Sequence, residues 1–539
     1  MTRPLLLCFL LFITSRLTAQ VNFTESALPI VVINTNGQEI PNEPKITASL
    51  GVVWNGAGQK NRLTDPFNEY NGKIGIERRG ASSQDLFPKV SYSMELRDNA
   101  GENNPVALLG MPKESDWTLI SNYNDKSLIR DALAYSLAAR VMDYAPRCRF
   151  VEVVLNNNYM GVYLLTERIK RDPGRVNVSK NDPAGDITGG YILKLDKEIG
   201  DSIGGHWTSH VAPLNVISGQ SIRFLYHYPR AEDLVSAQKQ YIKQWMYAFE
   251  ENLRSPGFED PANGYRKYID PATFINFMWL NEACKNIDGY RISTFLYKDQ
   301  DNKDGRLKIG PVWDFNLAFG NCNYCSGEST SGWMWNFNGI CPQDYWVIPF
   351  WWDRLREDTN FLVEAQQRWK ALRNGPLSDQ AAIATVDSLV AVLDGGPRAR
   401  NFQRWPVLGI WLWPNNFVGN TYPEEVNYLK DWFLDRLHWM DANVMSLYVG
   451  TYNPDTFFPP RVAPNPTHGS TRLEFYAPAG VRFSWALYDV SGKVFYRHYN
   501  STQAPNFQSI DIDLPAAPGL YFLQVEIDGK RYVQKVMVE

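Results

Sequence analysis

Residues 286–320 read NIDGYRISTFLYKDQDNKDGRLKIGPVWDFNLAFG, two strand-like runs with an acid at each open end. The runs 292–298 and 306–313 are rich in β-branched and aromatic residues. The DQDNKDG between them is a turn-forming cluster closed by glycine. Positions 288 and 314 are centred on 301, inside that turn, so antiparallel pairing would bring Asp288 and Asp314 together. Directly opposed residues in such a pair have Cβ atoms about 4.5–5.5 Å apart. Carboxylates that close repel unless a proton or a cation sits between them. A hard cation such as Mg2+, held by one or two carboxylates plus substrate phosphates, is the usual remedy where phosphoryl groups move. The bland alternative is that both acids are solvated turn or cap residues. The turn itself is a solvated loop rather than a calcium site. Asp299, Asp301 and Asp304-Gly305 miss the EF-hand spacing by one residue, and no acid closes it.

The sequence before this hairpin is strand-like and the sequence around and after it is helical. From Leu28, PIVVINTNG, ITASLGVVW, GKIGIERRG and VSYSMELRD alternate apolar and polar residues between Gly/Asn turns, as in a twisted antiparallel sheet. A helix is expected in SLIRDALAYSLAARVM, with Leu128, Ala132, Leu133, Leu137 and Val141 on one face and Asp125 or Ser127 as N-cap. FVEVVLNNNYMGVYLLTERI reads as a further hairpin, followed by the strand GGYILKLDK. From about Leu234 helical spacing takes over at 237–253, 271–285, 353–373, 378–393 and 424–447. Strands first and helices later predict a two-lobed α+β fold, with the lobes meeting near residue 233 and the hairpin in the helical lobe. Prolines cluster in TYNPDTFFPPRVAPNPTHG, which reads as a linker over 451–461. The short alternating strands from 462 to 539 then predict a small β-sandwich.

At 539 residues the chain has room for two or three domains, and a formal net charge of -4 argues against a nucleic-acid-binding protein. The 18 tryptophans point to a well-filled core and aromatic clefts, with carbohydrate or polymer contact as the alternative. The start MTRPLLLCFLLFITSRLTAQ has Arg3 as its basic residue, an apolar run at 5–13 and the small exit Thr18-Ala19. That is the pattern of a signal peptide spanning 1–19, too short to cross a bilayer, so an exported chain without a transmembrane segment is expected. Five cysteines remain after it: Cys148, Cys284, Cys322, Cys325 and Cys341. An odd count leaves at least one thiol free, and a local disulfide among the last three is favoured over zinc because no fourth ligand is near.

Two stretches resemble known families. IGIERRGASSQDLFPKVSYSMELRD, LLGMPKESDWTLISNYNDKSLIRDALAYSLAARV, APRCRFVEVVLNNNYMGVYLLTERIKRD, DITGGYILKLDK and the hairpin segment from NEACKNIDGYR to LAFGN are together similar to the CotH family of spore-coat kinase-like proteins. The resemblance is specifically to the branch found in Bacteroidetes-type bacteria and spans residues 20–450. It implies an atypical protein-kinase fold with ATP between two lobes and a divalent metal, Mg2+ or Mn2+. The implied activity is transfer of the γ-phosphoryl to a hydroxyl, expected on protein Ser/Thr. The tail from Val462, with APNPTHG, LYDVSGKVF and PGLYFLQVEIDGKRYVQKVMV, resembles the type IX secretion C-terminal sorting domain. That likeness implies contact with the type IX machinery, passage through the periplasm, and surface attachment or release after the tail is removed.

Carried over residue by residue, the kinase resemblance makes Asp288 the catalytic acid that accepts or orients the substrate proton and Asp314 the metal ligand. Asn316, two residues on, is a candidate for the metal shell. Arg79, Ser82, Ser83 and Lys89 are candidates for a phosphate cradle, with Glu167 expected to pair with Lys89. Lys194 and Asp196 share one face of a strand and are weaker candidates for the same cleft. The chain departs from the kinase pattern: it has no G-x-G-x-x-G-x-V loop, no V-A-I-K and no H-R-D. After Asp288 the nearby polar residues are Arg291 and Ser293. Two alternatives therefore stand beside the kinase: a catalytically silent binding module using the Trp-rich stretch GWMWNFNG…WVIPFWWDRL, whose bland reading is packing, and a hydrolase using the acid pair.

Overall fold

The computed structural model describes residues 21–198, 205–217, 219–444, 460–477, 482–501, 506–515, 517–527 and 530–539. The expected signal peptide and most of the expected linker lie outside them. The chain is α+β, and its β-rich part opens it.

Seven strands form the first unit: β1 (Ile30–Asn34), β2 (Ile46–Val53), β3 (Tyr70–Arg79), β4 (Ser91–Arg97), β5 (Asp116–Ile120), β6 (Cys148–Leu155) and β7 (Asn158–Glu167). Alternation puts Val31, Leu50, Ile74, Met94, Trp117, Val151 and Leu165 inside, where they form one buried cluster. The expected antiparallel sheet closes into a barrel in the order β6-β7-β5-β4-β3-β2-β1. Closure comes from β6 running parallel to β1, with Glu152 opposite Ile30 and Leu155 opposite Ile33. A barrel leaves no unpaired edge for another chain to extend.

Between β5 and β6 lies α1 (Arg130–Ala138), buried along nearly its whole length. Its start is secured by Asp125, whose carboxylate accepts from the Arg130 backbone N–H at 2.8 Å and from the Arg130 guanidinium at 2.5 Å.

A second sheet holds β8 (Tyr191–Leu195), β9 (His206–Thr208), β10 (Arg223–Tyr228), β11 (Thr294–Lys298) and β12 (Leu307–Ile309), in the order β9-β10-β8-β11-β12. The expected hairpin is therefore one edge of a sheet whose other strands come from before residue 233. The helical part comprises α2 (Ser236–Arg254), α3 (Pro271–Cys284), α4 (Thr359–Arg373), α5 (Asp379–Val392), α6 (Pro397–Arg404) and α7 (Tyr422–Asn443). The helix expected at 353–373 is broken, because the Asp358 carboxylate caps α4 by accepting from the Asn360 N–H at 2.8 Å.

Most of the Trp-rich stretch is packing: Trp335, Trp351 and Trp352 are buried in the main core, while Trp333 and Trp346 are half-buried. Helix α6, not foreseen from the sequence, docks on the barrel. Its Arg400 pairs with Glu152 at 2.5 Å, and Asn401 accepts from the Val162 N–H at 3.1 Å.

The C-terminal part is a β-sandwich with its own core, including Leu473, Phe475, Leu487, Leu523 and Val536. Its two sheets contain three and four strands. Among the described residues no helix is long and apolar enough to cross a membrane.

Candidate active site

A cleft of about 1320 Å³ is bordered by the end of β3, the end of β8, residues 226–232 and both ends of the hairpin. Asp288 and Asp314 both line it, as do Arg79, Lys194 and Asp196. The two acids do not meet as ladder partners. Tyr297 pairs with Lys308 and Leu296 with Ile309, which centres the hairpin between residues 302 and 303, and β12 stops at Ile309. Gly310 turns away at a φ of 122°, and residues 311–314 lead to the cleft floor as irregular chain.

Asp288 is fixed from behind by α3. That helix is capped by Asp270, begins at Pro271 and is buried along its last turns. Glu282 near its end is fully buried and paired with Arg436 of α7 at 2.9 Å. Glu282 also accepts from the Met334 and Trp335 backbone N–H groups, both at 2.9 Å. A buried pair with its remaining oxygens satisfied holds geometry, whereas removing one partner costs several kcal/mol, roughly 3–5. The helix ends at Lys285, which has left-handed backbone, and Asp288 follows one turn later. Arg291 donates to the Asp288 carboxylate at 3.0 Å. Burial raises the Asp288 carboxyl above its usual value, with Arg291 and Lys197 pulling the other way.

Asp314 sits in left-handed backbone, φ 64°, a conformation uncommon outside glycine and one that needs support from its surroundings. Helix α1 supplies it. The Asp314 N–H donates to the Tyr135 hydroxyl at 3.4 Å, and the next N–H, of Phe315, donates to the Asp131 carboxylate at 2.7 Å. Asp131 and Tyr135 are four residues apart, on one helix face. Burial and the charges of Asp288 and Asp196 push Asp314 up to about 6. Burial and Asp314 push Asp131 up to about 8. Burial, with the neighbouring carboxylates second, thus favours protons on these acids when no cation is bound.

Arg79, the last residue of β3, donates to Thr118 at 2.8 Å and lies over the Trp313 ring at 5.1 Å. Burial lowers its pKa, while Asp314 and Asp196 pull it back up. The Lys194 ammonium is 3.7 Å from Asp196. Arg168, Lys197 and Arg230 add positive charge to the walls.

Several expected members fall elsewhere. Lys89 is buried under α6 and donates to Val162 O at 2.5 Å and Asn401 at 3.1 Å. Burial drives its pKa well down. Glu167 does not meet it. Their expected pairing fails because Lys89 reaches Val162, five residues up β7, about 16 Å along a strand. Glu167 is sealed instead with Arg147 at 2.9 Å and Arg175 at 3.6 Å, and borders no part of the cleft. Ser82 and Ser83 begin a short helical turn off the cleft, which is bordered by Gly80 and Ala81. Ser83 folds back so that a Cβ on Gly80 would lie 2.3 Å from its hydroxyl. Asn316 also misses the cleft. Its amide donates to Asn124 at 3.2 Å, because the chain after Asp314 is turn rather than strand and a two-residue step does not return to the same side. Asp131 and Tyr135 were not foreseen as site residues; an acid on an otherwise apolar helix face was their signal.

The disulfide joins Cys325 to Cys341, and Cys148, Cys284 and Cys322 are free thiols. Among the described residues no group of three or more His, Cys, Asp or Glu is arranged to hold a metal by itself.

The model of the CotH kinase protein family matches residues 76–440, and that of the secretion system C-terminal sorting domain matches 461–539. The tail addresses the chain to type IX export, for release or display at the cell surface. No curated protein matches. Among solved structures, dimeric latent PorU from Porphyromonas gingivalis matches 15% of this chain and 9% of its own length, at 16% identity and a TM-score of 0.14. The extent of the first match, over more than half of the sequence, and the cleft it encloses give the assignment: the chain belongs to the CotH kinase protein family and ends in a secretion sorting domain.

Proposed function

We infer that the protein is a secreted phosphotransferase that moves the γ-phosphoryl of ATP to a hydroxyl, with protein Ser/Thr as the acceptor class. The observation that carries this reading is the convergence of Asp288 and Asp314 on one cleft whose walls also hold Arg79 and Lys194. A mixed lining of that kind suits a polyphosphate with its counter-cation better than it suits an apolar ligand.

The cleft floor fits a hard divalent cation, Mg2+ or Mn2+. Its donors are carboxylate oxygens, and Asp314, raised first by burial and then by Asp288 and Asp196, would gain from a neighbouring cation. A cation of this kind can be held by one or two carboxylates and by the substrate's phosphates. Asp314 would hold it, and when bound it neutralises charge on the phosphate oxygens. The chain's own residues do the rest. Asp288 accepts the proton of the attacking hydroxyl and orients its oxygen; general-base catalysis of this kind contributes typically about 10²–10⁴-fold. Arg79, braced by Thr118 and Trp313, presents fixed positive charge to the phosphates. Asp131 and Tyr135 hold the backbone of residues 314 and 315, so the metal-binding carboxylate needs little rearrangement.

Incubation with γ-labelled ATP and Mg2+ or Mn2+ tests this. Label should enter protein, and Asp288→Ala and Asp314→Ala should each lower incorporation by about 100-fold or more. Free phosphate release without protein labelling would replace the kinase with a hydrolase. Absence of any nucleotide- and metal-dependent melting shift would leave a binding module.

A further inference from the structure

We propose that Asp344 is a positioning residue for Asp288, acting through Arg291, and that the Cys325–Cys341 disulfide anchors the segment that carries it. The inference deepens the reading of Asp288 as the proton acceptor and rests on it. Arg291 is 2% exposed at its side chain, and its donors are divided between two carboxylates and two carbonyls. One terminal nitrogen meets Asp288 at 3.0 Å. The other meets Asp344 at 3.1 Å and the Trp346 carbonyl at 3.2 Å, and Nε meets the Ile287 carbonyl at 2.9 Å. The guanidinium plane lies 4.0 Å from the centre of the Phe337 ring. A planar fork held at every corner has one orientation, so the Asp288 carboxylate is presented to the cleft in one orientation too.

Asp344 is also the counter-charge that keeps Arg291 from belonging to Asp288 alone. A guanidinium paired with a single carboxylate would draw that carboxylate towards itself and weaken it as a base. Sharing the fork between Asp288 and Asp344 leaves Asp288 oriented without being fully neutralised. The Asp344 side chain receives the Trp346 N–H at 3.0 Å, and the Asp344 N–H donates to the Cys341 carbonyl at 3.1 Å. That last contact reaches the disulfide directly. Its other half, Cys325, lies in the segment that leaves Asp314, so the bond ties together the surroundings of both cleft aspartates.

The test uses the whole exported chain with labelled ATP and Mn2+, comparing wild type, Asp344→Asn and Asp344→Glu. Asp344 is partly exposed, so Asp344→Asn is compatible with an intact fold, which a melting curve in the presence of nucleotide confirms. The expected result is a kcat reduced about tenfold or more in Asp344→Asn with KM for ATP unchanged, and partial recovery in Asp344→Glu. A role confined to stability would lower the melting temperature and leave kcat per folded molecule as in wild type. That outcome, or equal kcat and equal stability, overturns the role of Asp344 while the kinase reading stands. A wild type that labels no acceptor overturns the reading of Asp288 and the role of Asp344 with it.

Discussion

Lys89 and Arg79 bracket what a single cation can do in this fold. Both come from the barrel, but Lys89 is walled in by Val162, Asn401 and the Tyr163 ring, whereas Arg79 reaches the cleft. Lys89→Met should therefore leave nucleotide affinity unchanged and lower stability by about 1–3 kcal/mol, the cost of stranding buried acceptors. Arg79→Ala should do the reverse, weakening ATP binding with a smaller loss of stability; calorimetric titration and chemical denaturation separate the two. Titration of the floor acids gives a second prediction. Asp314 at about 6 and Asp131 at about 8 both lie above the ordinary carboxylate value of 3.8. The folded chain thus binds more protons than the unfolded one across that interval. Their contribution to stability is complete below 3.8 and is lost as pH rises through the folded values. A cation that takes the place of those protons should raise the melting temperature more at about pH 8 than at about pH 4, as scanning fluorimetry with Mn2+ reads directly.

The hairpin shows how far sequence pattern reaches at the scale of elements. Its two β-rich runs and turn cluster are where strand propensity and turn chemistry place them, and its open ends do border one cleft. The register differs because β12 is only three residues long and the chain leaves the ladder at Gly310. Asp314 then reaches the cleft that Asp288 also lines by the path of the irregular segment, which no two-residue period describes. The same limit explains Asn316, whose position after a left-handed residue breaks the alternation. Helix α6 was missed because PRARNFQR is short and mostly polar, and its Arg400 and Arg404 turn to barrel partners rather than to solvent, Arg404 donating to the Tyr159 carbonyl at 3.0 Å. What fixes it is long-range: Arg400 to Glu152 and Asn401 to Val162. The disulfide was legible as a local bond, but the choice of partners was not. Closing a loop of 16 residues, it should contribute about 3 kcal/mol, chiefly by limiting the unfolded chain. Denaturation of wild type with and without reductant, beside a Cys325→Ser/Cys341→Ser variant that reductant no longer affects, measures that figure.

For the whole molecule, the order of strands before helices conveyed the α+β class and the separate tail, because composition changes abruptly where the prolines cluster. It did not convey barrel closure or that the hairpin joins a sheet with strands from before residue 233. Both depend on pairings between distant segments, β6 with β1 and β8 with β11. Those pairings are what set a β-barrel against a helix-backed sheet and leave a cleft between them, with Arg79 on one wall and the two aspartates on the other. The sandwich tail has its own core and serves export, so the proposed phosphotransfer rests on the residues before it. A crystal structure of the protein with a non-hydrolysable ATP analogue and Mn2+ tests the central claim most directly. Anomalous density is expected about 2.1 Å from an Asp314 carboxylate oxygen, with the phosphates toward Arg79 and Lys194 and the terminal phosphate facing Asp288. Nucleotide bound with its phosphates outside this cleft, or Mn2+ coordinated away from Asp314, would contradict it.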